Sequence, residues 1–167
     1  MTTATFFLYT GITLLSIGAW GFIILLFSKV NNFKINVPYV KYCREVLKWT
    51  GPILYDHGIK YYPNLVLRYS KSGKHLGLYY PNNNTIIIYL KNHKGADFVS
   101  QLTKTVLHET YHHIQSKTDP AFTKLTNYKK YGYYNNRIEV EARNFENAHF
   151  KKCVKKLYDN GFLKIES

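Results

Sequence analysis

The chain has 167 residues, which is the length of one modest domain and excludes a large multidomain protein. A composition of 46% hydrophobic and 17% aromatic residues excludes a disordered chain. The formal net charge is +13, so the surface should attract anionic partners such as an acidic protein neighbour.

The distribution of this charge disfavours nucleic acid as the partner. Most of the basic residues are lysines and they are scattered along the chain, whereas nucleic acid is read preferentially by clustered arginines. The two cysteines, Cys43 and Cys153, lack a C-x-x-C spacing and are too few for a disulfide framework. We therefore expect free, structural thiols in a reducing compartment.

Residues 1–28 carry no charged side chain and predict a retained transmembrane anchor. The apolar run from Phe6 to Phe27 is long enough, at about 1.5 Å per residue, to cross a hydrocarbon core of about 30 Å. A cleaved signal peptide is disfavoured because the segment has no basic start, and a buried core helix because it is apolar on every face. Basic residues crowd the downstream side: Lys29, Lys34, Lys41, Arg44 and Lys48. This predicts a single-pass membrane protein whose domain faces the cytoplasm or an organelle matrix.

A linker is expected over residues 29–37 and one domain over residues 38–167. Pro38 suits the first turn of a helix, which Gly51-Pro52 should kink or break. Three strand-like runs follow: Leu65 to Tyr69, Leu76 to Tyr80 and Thr85 to Leu90. The turn residues 81–84 predict that the last two runs form a hairpin.

The second half of the domain is predicted to be helical. Helical spacing of apolar residues begins after Asp97, the predicted N-cap, and ends near Lys117 to Pro120. A tyrosine-rich loop at 128–136 precedes a last helix over about residues 136–159, which Asn160-Gly161 should end. The order helix, small sheet, helix, loop, helix predicts the α+β class.

The penultimate helix carries the sequence H-E-x-x-H at residues 108–112. Residues i and i+4 lie one turn apart on the same helix face, so His108 and His112 can both direct ring nitrogens at one metal ion. Glu109 beside them is placed to deprotonate a metal-bound water as general base, while zinc lowers the pKa of that water towards neutrality. A catalytic zinc has three protein ligands and one open position, so a third ligand must come from another element.

The last helix offers candidates for this ligand, and its sequence from Arg137 to Glu146 contains an E-x-x-A pattern. H-E-x-x-H followed by such a helix resembles the zincin metallopeptidases of the glutamate-ligand type, among them ImmA/IrrE-like and HtpX-like proteins. In these families the glutamate three residues before the alanine is the third ligand. The resemblance implies that Glu139 takes this role here and that the cofactor is Zn²⁺.

Other residues are alternatives for the third ligand. Glu141 stands directly before Ala142, as the ligand does in other glutamate zincins, and it points about 200° away from Glu139 on a helix. Only one of the two can face the metal, and we expect Glu139; His149 ranks below both. The element order also resembles the SprT-like proteases. Their third ligand is a histidine soon after the motif, however, and this chain has none between His113 and His149.

The resemblance covers roughly residues 63–150 and implies a zincin-like domain, in which a short antiparallel sheet packs on the H-E-x-x-H helix and a C-terminal glutamate-bearing helix. It implies a membrane-anchored zinc metalloendopeptidase, a hydrolase that cleaves peptide bonds in a protein or peptide substrate. The strand at 85–90 would form the sheet edge beside the cleft, where an extended substrate adds as another strand. Tyrosines of the 128–134 loop or His93 are candidates to stabilise the oxyanion.

The alternative from a different class is a non-enzymatic, membrane-anchored subunit or structural protein that retains a zincin-like fold as an interaction module. The short length and the basic charge fit a small subunit bound to an acidic neighbour. A chain that binds zinc but cleaves no peptide would favour this alternative.

Overall fold

The computed structural model describes residues 33–69, 73–95, 97–126 and 132–165. The helices in these ranges are α1 (Tyr39–Trp49), α2 (Gly51–Asp56), α3 (Phe98–Thr118), α4 (Phe122–Leu125) and α5 (Arg137–Asp159). The strands are β1 (Phe33–Ile35), β2 (Asn64–Arg68), β3 (Gly77–Tyr80), β4 (Thr85–Tyr89) and β5 (Leu163–Ile165). Short 3₁₀ turns follow β3 and β4. The predicted α+β class is confirmed, since the described residues form helices together with two small, separate sheets.

The core lies between the long helices α3 and α5, helix α1 and the sheet. Apolar side chains on one face of each helix meet there with almost no exposed surface: Tyr42, Val46, Leu102, Val106, Leu107, Val154 and Leu157. Burying an aliphatic side chain of this size contributes about 1.5–3 kcal/mol relative to leaving it in water. Because α3 carries the H-E-x-x-H sequence, this packing fixes the motif helix against α5.

The predicted helix boundaries agree with the structure. Helix α3 begins directly after Asp97, although the Asp97 side chain caps no backbone N–H. Helix α5 begins after Asn136, whose side-chain oxygen accepts the N–H of Ile138 at 3.1 Å and so satisfies one of the unpaired donors of the first turn. It ends before Gly161, which has a φ of +75° that suits glycine at the end of a helix.

The three-stranded sheet has the order β2-β4-β3. Strand β4 pairs antiparallel with β3, with Leu78 opposite Ile87, so the predicted hairpin is confirmed. It pairs parallel with β2, with Leu65 opposite Ile86, so the sheet is mixed and the prediction of an antiparallel sheet is wrong. Every residue of β4 is buried, and this strand has a neighbour on each side in the sheet. The prediction that the 85–90 strand forms the edge beside the cleft is therefore also wrong, and β3 is the edge strand next to α3.

Gly77, the first residue of β3, brings this edge strand into close contact with α3. A Cβ atom at this position would lie 2.7 Å from Cγ2 of Thr105 and 2.9 Å from Cγ of Glu109. Carbon atoms in van der Waals contact are about 3.5–4.0 Å apart, so any side chain here would push the strand away from the helix. Glycine at this point thus places the edge of the sheet directly against the H-E-x-x-H sequence.

Part of the segment predicted as a linker forms strand β1. This strand pairs antiparallel with β5, with Phe33 opposite Ile165 and Ile35 opposite Leu163. The side chains of Phe33 and Leu163 are both buried in the core. The two ends of the described part of the chain consequently lie side by side.

The prediction of a transmembrane helix needs correction. Among the residues that the structure describes, none of the helices is both long and apolar enough to cross a bilayer. The transmembrane helix is therefore withdrawn from the fold class, together with the membrane partner and the single-pass, cytoplasm-facing localisation that depended on it. The anchor was predicted at residues 1–28, which lie outside the described residues.

The two cysteines are free thiols, as the sequence predicts. Cys43 on α1 and Cys153 on α5 are both fully buried in the core. Burial raises the pKa of each thiol to about 12, so both remain protonated at neutral pH and act as small apolar side chains.

Candidate metal site

Three side chains from two helices converge on one point of the fold. The ligand atoms that His108, His112 and Glu139 can offer all lie within 4.8 Å of one another. Helix α3 places the two imidazoles one turn apart, with ring centroids separated by 4.7 Å and ring planes at 86°. Helix α5 supplies the carboxylate from the opposite side. This group could hold a metal ion.

The geometry of the Glu139 carboxylate defines where such an ion would lie. Its Oε2 is 3.3 Å from Nε2 of His108, and its Oε1 is 3.4 Å from Nε2 of His112. The Glu139 side chain is only 1% exposed. Both imidazoles therefore present the same ring nitrogen to one buried carboxylate, and the three donors share a single centre.

The other nitrogen of each imidazole is held by an oxygen. Nδ1 of His108 lies 3.0 Å from Oε2 of Glu146, and Nδ1 of His112 lies 2.9 Å from Oε1 of Gln115. The Gln115 amide nitrogen donates to the carbonyl of Ile138 at 3.0 Å, so its oxygen is the atom that faces the imidazole. In the neutral form of each ring, Nδ1–H can donate to these oxygens, which leaves the lone pair of Nε2 for a metal ion.

Glu141 and His149, the alternatives for the third ligand, lie away from this centre. Glu141 accepts hydrogen bonds from Arg137 at 3.1 Å and from Gln115 at 2.9 Å. His149 packs its ring against Trp49 and Phe145. The face of α5 that meets α3 carries Glu139. Because Glu141 points about 200° away around the helix, it cannot face the same centre.

Glu109 lies beside the cluster and is almost fully buried. Burial raises the pKa of its carboxyl, while the neighbouring His112 and His108 partly offset that effect. The backbone of Tyr79 on the edge strand β3 also partly offsets the effect of burial on this pKa. A carboxylate with a raised pKa, held in a fixed position at a cleft, is suited to accept and return a proton.

The carboxylates around His108 control its protonation. Burial disfavours the charged imidazole, but hydrogen bonds to Glu139 and Glu146 and the charge of Glu109 outweigh burial and raise the pKa of His108 to about 10. Protons and a metal ion therefore compete for this side chain. Binding of a metal at neutral pH should release a proton.

Tyr133 reaches the cluster from the loop that precedes α5. Burial raises the pKa of its hydroxyl, and so does the neighbouring Glu139 carboxylate, which shares a hydrogen bond with it. The side chain is half exposed and lines the clefts on both sides of the cluster. His93, the other candidate to stabilise an oxyanion, is buried between the carbonyl of Tyr89 and the hydroxyl of Thr105, each at 3.0 Å, and lines neither cleft.

Two clefts flank the cluster, and both run along the edge strand β3. The cleft on the His108 side is lined by His75, Gly77, Gln101, Lys104, Glu109 and Glu146, among others. The cleft on the His112 side is lined by Leu78, Tyr79, Pro81, Phe122, Thr126 and Glu139, among others. The potential metal site is thus open to a ligand that lies along β3.

The sequence interpretation missed Glu146 and Gln115, which hold the two imidazoles. Both have a signal in the sequence. Glu146 follows Glu139 by two helical turns and so shares its face of α5, and Gln115 follows His112 by one turn. A search for polar residues at these spacings from the motif would have found them.

No protein-family model, curated protein or solved structure matches this chain.

Proposed function

We propose that the chain is a zinc-dependent metallopeptidase that hydrolyses peptide bonds. The observation that carries the proposal is the convergence of His108, His112 and Glu139 beside the buried carboxylate of Glu109. The resemblance of the H-E-x-x-H and E-x-x-A patterns to zincin metallopeptidases supports the same conclusion.

The chemistry of the donors fits zinc. Two imidazole nitrogens and one carboxylate oxygen make up a ligand set typical of catalytic zinc, whereas calcium and magnesium prefer sites made of oxygen alone. The donors lie at the clefts rather than in a closed cage, which leaves one side for a substrate. When bound, zinc acts as a Lewis acid that polarises a carbonyl and acidifies water.

Glu109 is the residue that moves the proton. It accepts a proton from the water that attacks the carbonyl carbon, and it returns the proton to the nitrogen of the leaving amine. Its raised pKa brings the carboxyl closer to neutrality, where it can perform both transfers. The Glu109 side chain packs against Gly77, which places it at the edge of the sheet.

Tyr133 is the residue that we assign to the developing negative charge. Its hydroxyl lies at the Glu139 carboxylate, and its raised pKa keeps the hydroxyl protonated, so that it can donate a hydrogen bond to the carbonyl oxygen. The sequence interpretation placed this role among the tyrosines of the loop or on His93. Burial of His93 between two protein partners favours the loop.

The edge strand β3 is the surface that would hold an extended substrate. The carbonyl of Leu76, directly before β3, accepts the N–H of Tyr89 at 2.9 Å, so the backbone of Leu76 points towards β4. The bonding direction alternates along a strand, and the backbone groups of Gly77 and Tyr79 consequently point away from β4. A peptide that adds to this edge would pass the metal site between the two clefts.

The first experiment measures zinc stoichiometry by elemental analysis of the full-length chain. We expect one zinc per chain in the wild type, no zinc in the Glu139→Ala variant and full zinc in the matched control Glu141→Ala, because only Glu139 lies in the cluster. Absence of zinc from correctly folded wild-type protein would refute the proposal.

The second experiment separates metal binding from catalysis. Glu109→Gln keeps the shape of the side chain but cannot accept a proton, so we expect normal zinc content and loss of peptide cleavage by at least about 100-fold. Cleavage is measured on a mixture of peptides by mass spectrometry. Wild-type protein that contains zinc and cleaves no peptide would favour the non-enzymatic interaction module instead.

A further inference from the structure

A lysine lines the cleft on the His108 side of the cluster. Lys104 precedes His108 by one helical turn and so lies on the same face of α3. It faces the cleft together with Gln101 and Gly77. A substrate side chain that entered this cleft next to the metal site would meet the Lys104 side chain, whose flexible stem can bring its ammonium group to the ligand.

The surroundings of Lys104 leave much of its charge available to a ligand. The side chain is partly buried, its Nζ donates to Oδ1 of Asn147 at 3.0 Å, and it lies 5.3 Å from the centre of the Phe150 ring. An ammonium group has three N–H donors, and Asn147 takes one of them. Among the described residues, no carboxylate forms an ion pair with Lys104.

The two carboxylates that line the same cleft are already engaged. Glu109 is buried beside His112 and His108, and Glu146 lies 3.0 Å from Nδ1 of His108. Lys104 is the one lysine or arginine among the described residues that line this cleft. A partly desolvated cation without a partner carboxylate favours a ligand that brings its own negative charge.

The cleft on the other side of the metal site has a different character. Leu78, Pro81 and Phe122 contribute apolar surface there, and no lysine or arginine is among the described residues that line it. The two clefts therefore differ in character. A peptide lying across them would meet a lysine on one side and apolar side chains on the other.

We infer that the enzyme selects peptides with an acidic side chain at the position that enters the Lys104 cleft. This inference deepens the proposed peptidase function and rests on it. Lys104 contributes a charge-assisted hydrogen bond to the substrate carboxylate, while the apolar cleft receives a side chain on the other side of the scissile bond. Lys104 is thus a specificity residue that takes no part in the proton transfers.

Binding of metal-chelating inhibitors tests this inference without requiring cleavage. The probes are matched peptide hydroxamates in which the residue next to the hydroxamate, on one side or the other, is glutamate or glutamine. For one of the two sides, we expect the wild-type chain loaded with zinc to bind the glutamate member about tenfold more tightly, because a charge-assisted hydrogen bond is worth about that factor. Lys104→Met should abolish the difference, and Lys155→Met on the far part of α5 should leave it unchanged.

The outcomes separate this inference from the proposed function. Equal affinities for glutamate and glutamine probes on both sides of the zinc, in a wild type that binds all of them, would overturn the acidic preference and leave the metallopeptidase intact. A difference that persists in Lys104→Met would also overturn it. Failure of every hydroxamate to bind would remove the metal site and this inference with it.

Charge reversal provides a second test with cleavage as the readout. In a peptide mixture digested by the wild type, Asp and Glu should be enriched at one position next to the cleaved bond. The Lys104→Glu variant should instead enrich Lys and Arg at that same position. An unchanged cleavage profile in this variant, with zinc content intact, would contradict the assignment of Lys104.

Discussion

Each imidazole of the candidate metal site is held at both ring nitrogens, one facing the buried carboxylate and the other an oxygen of a supporting side chain. Glu146 and Gln115 are the two supports. Glu146 offers a carboxyl oxygen to His108, and Gln115 offers an amide oxygen to His112. The hydrogen bond to Glu146 is one of the contacts that raise the pKa of His108.

Removal of the Glu146 carboxyl group should weaken zinc binding. We expect Glu146→Ala to reduce zinc affinity about 10–100-fold and Glu146→Gln to reduce it less, because the amide oxygen can still accept from Nδ1 of His108. Competition with a chromophoric chelator measures the affinity. Glu45→Gln, on α1 and paired with Lys48, is the control and should bind zinc as the wild type does. An unchanged affinity in Glu146→Ala would mean that Glu146 does not position the ligand.

The sequence predicts some residues of the site and not others, for a physical reason. His108, Glu109 and His112 belong to one helical turn, and helical periodicity is a local property. The choice between Glu139 and Glu141 depends on which face of α5 meets α3. That face is determined by packing between elements that are distant in the sequence, so the sequence alone leaves both candidates open.

At the scale of elements, β3 packs closely against α3 beside the two clefts. Gly77 allows it, since a Cβ there would lie 2.7 Å from a methyl carbon of Thr105. The hairpin of β3 and β4 follows from local turn residues, and the sequence predicts it. The parallel pairing of β2 with β4 and the pairing of β1 with β5 join segments far apart in the chain, and no local pattern specifies them.

Enlargement of Gly77 should separate the strand from the helix. We expect Gly77→Val to lower the free energy of unfolding by about 1–3 kcal/mol, which is typical of overpacking, and to displace the Glu109 carboxylate. Urea unfolding followed by circular dichroism measures the loss. Val66→Ala on the other edge strand, where the side chain is 41% exposed, is the control and should lose less than about 1 kcal/mol. A Gly77→Val variant as stable as the wild type would show that β3 can shift without penalty.

At the scale of the whole molecule, the core contains ionisable groups that keep their protons. Burial raises the pKa of the Cys43 and Cys153 thiols to about 12, and burial likewise raises the pKa of Tyr42, although a hydrogen bond with Thr103 partly offsets the effect. The unfolded chain releases these protons at lower pH than the folded chain does. Alkaline conditions therefore favour the unfolded state.

The stability of the protein should accordingly decrease above about pH 8.5, the ordinary pKa of a thiol. Between that pH and about 12, each buried thiol should reduce the free energy of unfolding by up to about 1.4 kcal/mol per pH unit. Urea unfolding at a series of pH values from 7.5 to about 10.5 measures the slope. A Cys43→Ala variant should show a shallower slope, and equal slopes in the two proteins would mean that this thiol ionises in the folded state as readily as in the unfolded one.

The antiparallel pairing of Phe33 with Ile165 holds the two ends of the described region together. Helix α5 carries Glu139 near its start and leads into β5 at its end, so the paired strands lie about 30 Å along the helix axis from the metal ligands. Either end of the 33–165 region lies at these paired strands. A fluorophore, an affinity tag or a surface linkage joined to either end would therefore be attached at the same part of the molecule. Immobilisation through either end should therefore leave both clefts accessible to peptides.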